Sequence, residues 1–306
     1  MILAVDEAKL FTMRNKLVHI CIKSGTELLH RVDEDYRCAI TKMAIAAYST
    51  GSDIFAYSAM SNHDHIIGQF QDPVHFVSIY RNSYSKWFNH KYKRSGRLGE
   101  SHYYAETLDD FERKLKAVNY VLRNPVHHSA TDTPFSYDYC SARYVFASSL
   151  FGSGEVSWRR MTPYLSKNRA LPSKYRLDNF GMVYPPSFLD IAAVENLYVT
   201  PKNYLYLVGR PSYSDVSKDE DAGILTLGEL EPGENVELLY RNERHRSVAG
   251  SLTDIGVCGL IEGMLPPGRT YCHLSDAEKG VIANELHCRY YIPWAQLRRC
   301  LASGWG

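Results

Sequence analysis

The sequence predicts an α+β fold over residues 1–150, an antiparallel sheet with helices packed on one face. Three observations carry it. Three short runs rich in β-branched and aromatic residues read as strands. Three longer segments between and after them read as helices, the first with apolar residues at three- and four-residue steps. The connections are too short for anything but antiparallel or directly packed neighbours.

Taken in order, Lys16–Lys23 (KLVHICIK) is a strand closed by a Ser24-Gly25 turn. From Asp33 to Tyr48, acids crowd the first turn, and Tyr36, Ile40, Met43, Ala44 and Ala47 share one helical face until Gly51 breaks it. Asp53–Met60 (DIFAYSAM) and His63–Phe70 (HDHIIGQF) form two more strands around Ser61-Asn62. Pro73 suits a first helical turn, and the helix runs to about Tyr92. A glycine-punctuated loop, Lys93–Gly99, follows. Thr107 offers an N-cap for a last helix, which should stop at Asn124 before Pro125. The expected order is β-α-β-β-α-α.

Residues 151–306 form a C-terminal accessory region of mixed character. Residues 151–187 are rich in Gly and Pro, and residues 202–270 hold short apolar runs (NYLYLVG, ILTLGEL, VELLY, VCGLI). Ser275-Asp276-Ala277-Glu278 is a capping box opening a helix, and a second short helix follows Pro293. Residues 275–301 therefore read as a helix-turn-helix, or equally as a helical hairpin that only packs.

The chain of 306 residues suits two domains, and 45% hydrophobic with 23% charged residues excludes a disordered protein. Seven scattered cysteines with no CxxC pair exclude a disulfide framework or a zinc cluster. The first residues lack a signal peptide's apolar core, and no stretch reaches the length of a membrane span. A cytoplasmic, nucleoid-associated protein is expected. The net charge of +1 hides a partition: residues 73–99 carry Arg81, Lys86, Lys91, Lys93, Arg94 and Arg97, six basic side chains with no acid. Tyr80, Tyr84, Trp87, Phe88 and Tyr92 lie among them. Cations for phosphates and rings for unstacked bases suit single-stranded nucleic acid, although rings at helical spacing also suit a core face.

Two short patterns point to chemistry. In His63-Asp64-His65, alternation along a strand aims both imidazoles the same way, toward one divalent ion. Twelve histidines in the chain make an isolated H-x-H pair a weak signal. Tyr120 and Asn124, four apart, share a helix face about 5–6 Å apart. An amide oxygen there could complete a metal shell beside a nucleophilic tyrosine; a packed tyrosine and a helix-capping asparagine read from the same residues.

In their order and spacing, AYSAMSNHDHIIGQF and LKAVNYVLRNPVHHS resemble the histidine and tyrosine signatures of the HUH single-tyrosine transposases. WFNHKYKRSGRLGESHYYAETLDDFERKL between them and PFSYDYCSARYVF after them are similar to the intervening and closing segments of that family. The resemblance covers about residues 10–150 and is nearest to the REP-associated tyrosine transposases. It implies a ferredoxin/RRM-like sheet, His63, His65 and Asn124 as ligands of Mg²⁺ or Mn²⁺, and Tyr120 as the nucleophile. It implies cleavage of single-stranded DNA at hairpins of repeated palindromes through a 5′-phosphotyrosine with a free 3′-OH, by a monomer or homodimer. DNA contacts are expected from the six basic residues of 73–99 and from Arg289, Arg298 and Arg299. The sequence departs from the family pattern at Asp64, usually apolar, at Ser61, usually proline, and at Arg123, commonly apolar. Asp64 leaves open a hairpin-binding protein that does not cut. A small-molecule hydrolase would need an acid-base pair in a pocket that the sequence does not suggest. Tyr103 and Tyr104 are rival nucleophiles with no amide four residues on.

Overall fold

The computed structural model describes residues 16–25, 27–128, 130–151, 159–160, 172, 174–209 and 252–303. Strands β1 (Lys16–Lys23), β2 (Asp53–Ala59), β3 (His63–Phe70) and β4 (Tyr104–Thr107) form an antiparallel sheet in the order β2-β3-β1-β4. Its two central strands, β1 and β3, pair along their full length from Lys16↔Phe70 to Lys23↔His63. Partners in such a ladder point to the same side. His19, Cys21, His63, His65 and Tyr104 therefore face one way, and Val18, Ile20, Ile22, Asp64, Ile66 and Phe70 the other.

Helices α1 (Asp33–Thr50) and α2 (Pro73–Tyr92) cover the Asp64 face. Each apolar stripe accounts for its helix: Tyr36, Ile40, Met43, Ala44 and Ala47 from α1, and Phe76, Tyr80, Tyr84, Phe88 and Tyr92 from α2, are buried. These α2 rings pack in series, with Phe76–Tyr80 and Tyr80–Tyr84 centroids 6.3 and 6.4 Å apart. They belong to the core, which corrects the expectation that they meet unstacked bases; Trp87 is half-buried beside them. Asp35 ties the two helices together, accepting from Arg31 N at 2.8 Å, Lys91 Nζ at 2.6 Å and the Tyr92 hydroxyl at 2.8 Å. In the loop after α2, Gly99 has φ +78°, and a Cβ there would sit 2.8 Å from the Lys23 carbonyl oxygen. Only glycine fits that turn.

Helix α3 (Phe111–His127) lies over the opposite face, so the expectation of helices on one face alone is corrected. The physical reason is alternation along β3: its odd-numbered side is also apolar or buried (Ile67, His63, His65) and needs a cover. Both ends of α3 differ from expectation. Thr107 pairs with Val18 as the last residue of β4, and Asp110 is the N-cap, accepting from Arg113 N at 2.8 Å. The helix also continues through Pro125. Proline removes the donor to the Val121 carbonyl. The buried Cys140 thiol donates there, 4.0 Å from the Val121 oxygen and 3.5 Å from that of Leu122.

The main core extends past residue 150. A short helix α4 (Ala147–Phe151), a two-residue ladder of β5 (Arg159–Arg160) with β6 (Arg176–Leu177), and helices α5 (Ile191–Tyr198) and α6 (Pro201–Val208) follow. Tyr175, Leu177, Val194, Tyr198, Tyr204 and Val208 join the same buried cluster as the sheet. Tyr198 donates to Asn119 Oδ1 at 2.7 Å on α3. Arg123, buried in α3, donates to the Leu207 carbonyl at 3.1 Å in the last turn of α6, where helical carbonyls lack internal partners. The buried guanidinium thus meets a backbone acceptor at the end of α6.

Helices α7 (Asp254–Met264), α8 (Asp276–Tyr290) and α9 (Trp294–Leu301) surround a second, smaller core of Val257, Cys258, Ile261, Ile282, Ala283, Leu286, Leu297, Cys300 and Leu301. Ser275 caps α8 with Glu278 returning the bond, as the capping box predicts. Tyr291 in the left-handed region (φ 55°) turns the chain into α9. The runs NYLYLVG and VCGLI are helical, whereas ILTLGEL and VELLY lie outside the described residues. The three-helix unit joins the main body through Leu28, which enters its core, and through Arg31. The Arg31 guanidinium is fully buried, donates to the Cys300 carbonyl at 2.6 Å and stacks 3.5 Å from the Tyr271 ring centre. No helix among the described residues is long and apolar enough to cross a membrane.

Candidate metal centre and nucleophile

The ladder aims His63 and His65 of β3 toward α3, and the i, i+4 spacing in α3 presents Tyr120 and Asn124 back to them. His63 Nε2 lies 2.9 Å from Asn124 Oδ1. The Tyr120 ring centre is 5.2 Å from that of His65, edge-on at 85°. Histidine, histidine, tyrosine and asparagine, up to 61 residues apart along the chain, therefore share one site.

Burial sets the protonation of this site. His63 and His65 are both pushed well below the usual imidazole value, first by desolvation and then by neighbouring rings: His128 on His63, and His63 and His19 on His65. His19 is held down at about 4 by burial. All three rings are therefore neutral at pH 7, each with one N–H and one lone pair. That count does not close at His63. Its Nδ1 is 2.7 Å from Asn62 Oδ1 and its Nε2 is 2.9 Å from Asn124 Oδ1, so both nitrogens face amide oxygens, which only accept. With the Nδ1 proton donated to Asn62, the Nε2 lone pair faces the Asn124 lone pairs. Asn124 Nδ2, meanwhile, is buried with no hydrogen-bond partner among the described residues. Two acceptors converging in a buried pocket fit a divalent cation between them.

His19 is a residue that motif reading passed over. Its Nε2 lies 3.0 Å from His65 Nδ1 across the β1–β3 pair. If His65 is to offer Nε2 to a cation, its Nδ1–H must donate to His19, which orients the ring from behind. The available signal was positional: His19 lies on an adjacent antiparallel strand, but the partner strand and register were not known. His128 and His127 also border the site. The His128 ring centre is 4.8 Å from that of His63, and that of His127 is 5.8 Å from that of Tyr120. Among the described residues no three His, Cys, Asp or Glu side chains form a metal-binding group, so a cation held here would need the amide of Asn124.

Asp64 faces away from all of this. Its Oδ1 is 2.7 Å from His30 Nε2, and its Oδ2 accepts from the Tyr80 hydroxyl at 2.7 Å. His30 Nδ1 contacts the Tyr84 oxygen at 2.8 Å, and Tyr84 donates in turn to the Leu29 carbonyl at 2.7 Å. Of the rival tyrosines, Tyr104 is on the edge strand β4 on the same face as His65, with its ring centre 6.1 Å from that of His19 and its hydroxyl donating to Glu106 Oε2 at 2.7 Å. Burial pushes the Tyr103 phenol up to about 12.

Of the basic residues expected at DNA, most are engaged within the protein. Lys91 bridges Glu34 and Asp35, Arg94 pairs with Glu27, Arg81 donates to the Leu98 and Glu100 carbonyls, and Lys93 donates to the Gly268 carbonyl. Lys86 and Arg97 are exposed. In the C-terminal unit Arg298 is exposed and Arg289 lies over the Tyr290 ring, whereas Arg299 is held by both oxygens of Asp254 at 2.8 and 2.7 Å.

No family model matches the chain, and no curated protein is significantly similar to it. Among solved structures, the chain is similar to a REP-associated tyrosine transposase bound to a REP hairpin. The TM-score is 0.38 at 14% sequence identity, over 47% of this chain and 88% of that one.

Proposed function

We propose that this chain is a metal-dependent, single-strand DNA-cleaving and strand-transfer enzyme of the HUH tyrosine type, acting on DNA hairpins. The observation that carries the reading is the pair of acceptors, His63 Nε2 and Asn124 Oδ1, meeting at 2.9 Å beside His65 and Tyr120. His63, His65 and Asn124 would hold Mg²⁺ or Mn²⁺, which when bound supplies positive charge at the scissile phosphate. Tyr120 is the nucleophile: its oxygen forms a bond to phosphorus while the bond to the 3′ oxygen breaks. The products are a 5′-phosphotyrosine and, once the leaving oxygen takes a proton, a free 3′-OH. A phenol ionises near pH 10, so both a cation and a positioned phosphate are needed for attack at neutral pH. The new bond is a phosphodiester, so rejoining needs no external energy source.

Asp64 prompted the alternative of a binding protein that does not cut. Its carboxylate lies on the far face of β3 against His30 and Tyr80, which favours the enzyme reading. The sheet with the helices up to Val208 that share its core would form the catalytic unit and the three C-terminal helices an accessory one, so the boundary at residue 150 does not divide the cores. Lys86, Arg97, Arg289 and Arg298 are the side chains best placed for phosphates. The test is incubation of the protein with Mn²⁺ or Mg²⁺ and single-stranded hairpin DNA, followed by denaturing electrophoresis. A covalent adduct is expected, absent in Tyr120→Phe. Hairpin binding with no adduct under either metal would establish the binding protein instead.

A further inference from the structure

The C-terminal helices reach the candidate metal centre through one carboxylate. Asp254, at the first turn of α7, receives four donors: Ser61 Oγ at 2.7 Å, Gln296 Nε2 at 2.9 Å, and Arg299 Nε and Nη2 at 2.8 and 2.7 Å. Each carboxylate oxygen takes two, so the group is saturated. Three of the donors come from within the three-helix unit's own α9. The fourth, Ser61, is 193 residues away in the β2–β3 turn.

That turn sets His63. Its backbone is held by Leu29 N and His30 N on the Ser61 carbonyl, at 2.8 and 3.1 Å, and by Ser24 N on the Asn62 carbonyl at 2.8 Å. The next side chain along, Asn62, has its Oδ1 2.7 Å from His63 Nδ1; accepting that ring's proton, it would leave Nε2 facing Asn124. A continuous path of contacts runs from Arg299 through Asp254, Ser61, Asn62 and His63 to Asn124. Proline, the usual residue at position 61 in the resembled family, has no hydroxyl to make this link. Serine here supplies a hydroxyl donor to the docked carboxylate.

We propose that Asp254 is a positioning residue of the metal centre: through Ser61 it fixes the turn that aligns Asn62 and His63, making the C-terminal helices part of the site. The proposal rests on the metal-centre reading above, but its geometric half does not need a metal. Arg299, expected at DNA, is on this view an internal partner of Asp254.

The decisive variant is Ser61→Ala in the full chain, which cuts the link and leaves the Asp254–Arg299 pair intact; Ser61→Thr keeps a hydroxyl as the rescue. Two measurements are made. Mn²⁺ titration calorimetry is expected to show affinity about threefold to tenfold weaker in Ser61→Ala and in Asp254→Asn, with Ser61→Thr within about twofold of wild type. Long-range ¹H–¹⁵N correlation of the histidine rings, on metal-free protein, is expected to show His63 as the single Nδ1–H tautomer in wild type and as a mixture in Ser61→Ala. A purely structural tie would lower the melting temperature and move neither readout. Unchanged affinity together with an unchanged tautomer in Ser61→Ala overturns the proposal, as does a wild-type His63 protonated on Nε2. If wild type binds no Mn²⁺, the metal-centre reading fails, and the tautomer comparison alone decides the link.

Discussion

Residues 63 to 65 send three polar side chains to two faces of one strand, and the two faces are finished differently. On the Asp64 side the polar group is closed: both Asp64 oxygens, both His30 nitrogens and the hydroxyls of Tyr80 and Tyr84 have partners at 2.7–2.8 Å. On the His63 side it is open. His19 Nδ1, Asn124 Nδ2 and His127 Nε2 are buried without partners among the described residues, and two acceptors face each other. The Tyr57 hydroxyl is a buried atom without a partner on the Asp64 side among the described residues. Buried polar atoms are paired in all but a few cases, so three exceptions gathered around His63, His65 and Tyr120 suit a ligand there. The closed face holds the sheet on α1 and α2, and the open face is where chemistry is expected.

That contrast can be broken most directly at Asp64. Removing one partner of the buried His30–Asp64 pair, 0% and 3% exposed, strands the other. Asp64→Ala is therefore expected to cost about 3–5 kcal/mol in urea unfolding. A loss below about 1 kcal/mol would mean that the closed face contributes little.

Acid should act on the open face. His19 is neutral when folded and titrates at about 4, whereas the unfolded chain takes its proton near 6.5. Between those values the unfolded state binds more protons, so stability falls as pH falls. For His19 the loss reaches about 2 kcal/mol by pH 5, at about 1.4 kcal/mol per unit. His128, held down at about 4, and His127, at about 3, add in the same direction. Urea unfolding of metal-free protein at pH 7 and pH 5 measures the total, and His19→Asn should flatten the dependence. Equal stability at the two pH values would contradict neutral buried rings.

Asn124→Leu, with the same branching and number of side-chain heavy atoms, removes an amide with an unpartnered nitrogen. It is expected to change stability by less than about 1 kcal/mol while abolishing Mn²⁺ binding by calorimetry. A large stability loss there would make Asn124 a structural residue and erase the difference between the faces.

The smallest effects concern the basic surface. Lys86→Ala and Arg97→Ala are each expected to lower the slope of log hairpin affinity against log salt by about one, since each exposed cation would meet a phosphate. Lys91→Ala should leave the slope unchanged and cost about 1–2 kcal/mol of stability, because Lys91 serves Asp35. A slope change in Lys91→Ala would mean that the internal pair opens on DNA.

Local pattern carried much of the fold. β1, β3 and α2 have the bounds that alternation, the Ser61-Asn62 turn and Pro73 suggest, because each is long enough to show its period. β4 has four residues, too few for a period, and becomes a strand only by pairing with the edge of β1. The end of α3 differs from the sequence pattern for a similar reason. Pro125 is a stop signal unless something else serves the carbonyls before it, and the Cys140 thiol that does so lies outside the helix.

The site divides the same way. The i, i+2 pair on a strand and the i, i+4 pair on a helix are fixed by backbone periods, so His63 with His65, and Tyr120 with Asn124, could be grouped from sequence alone. Which face each group looks toward depends on register and on which helix covers which side. Tertiary structure alone therefore joined the two pairs, brought His19 behind His65, turned Asp64 away and assigned Lys91, Arg94 and Arg299 to internal partners. It also explained the three departures: Asp64 meets His30 and Tyr80, Arg123 meets Leu207, and Ser61 meets Asp254. Sequence determines what a residue can do within one strand or one turn of helix, because bonded geometry sets those distances. Partners separated by 34, 84 and 193 residues are chosen only when the chain has packed.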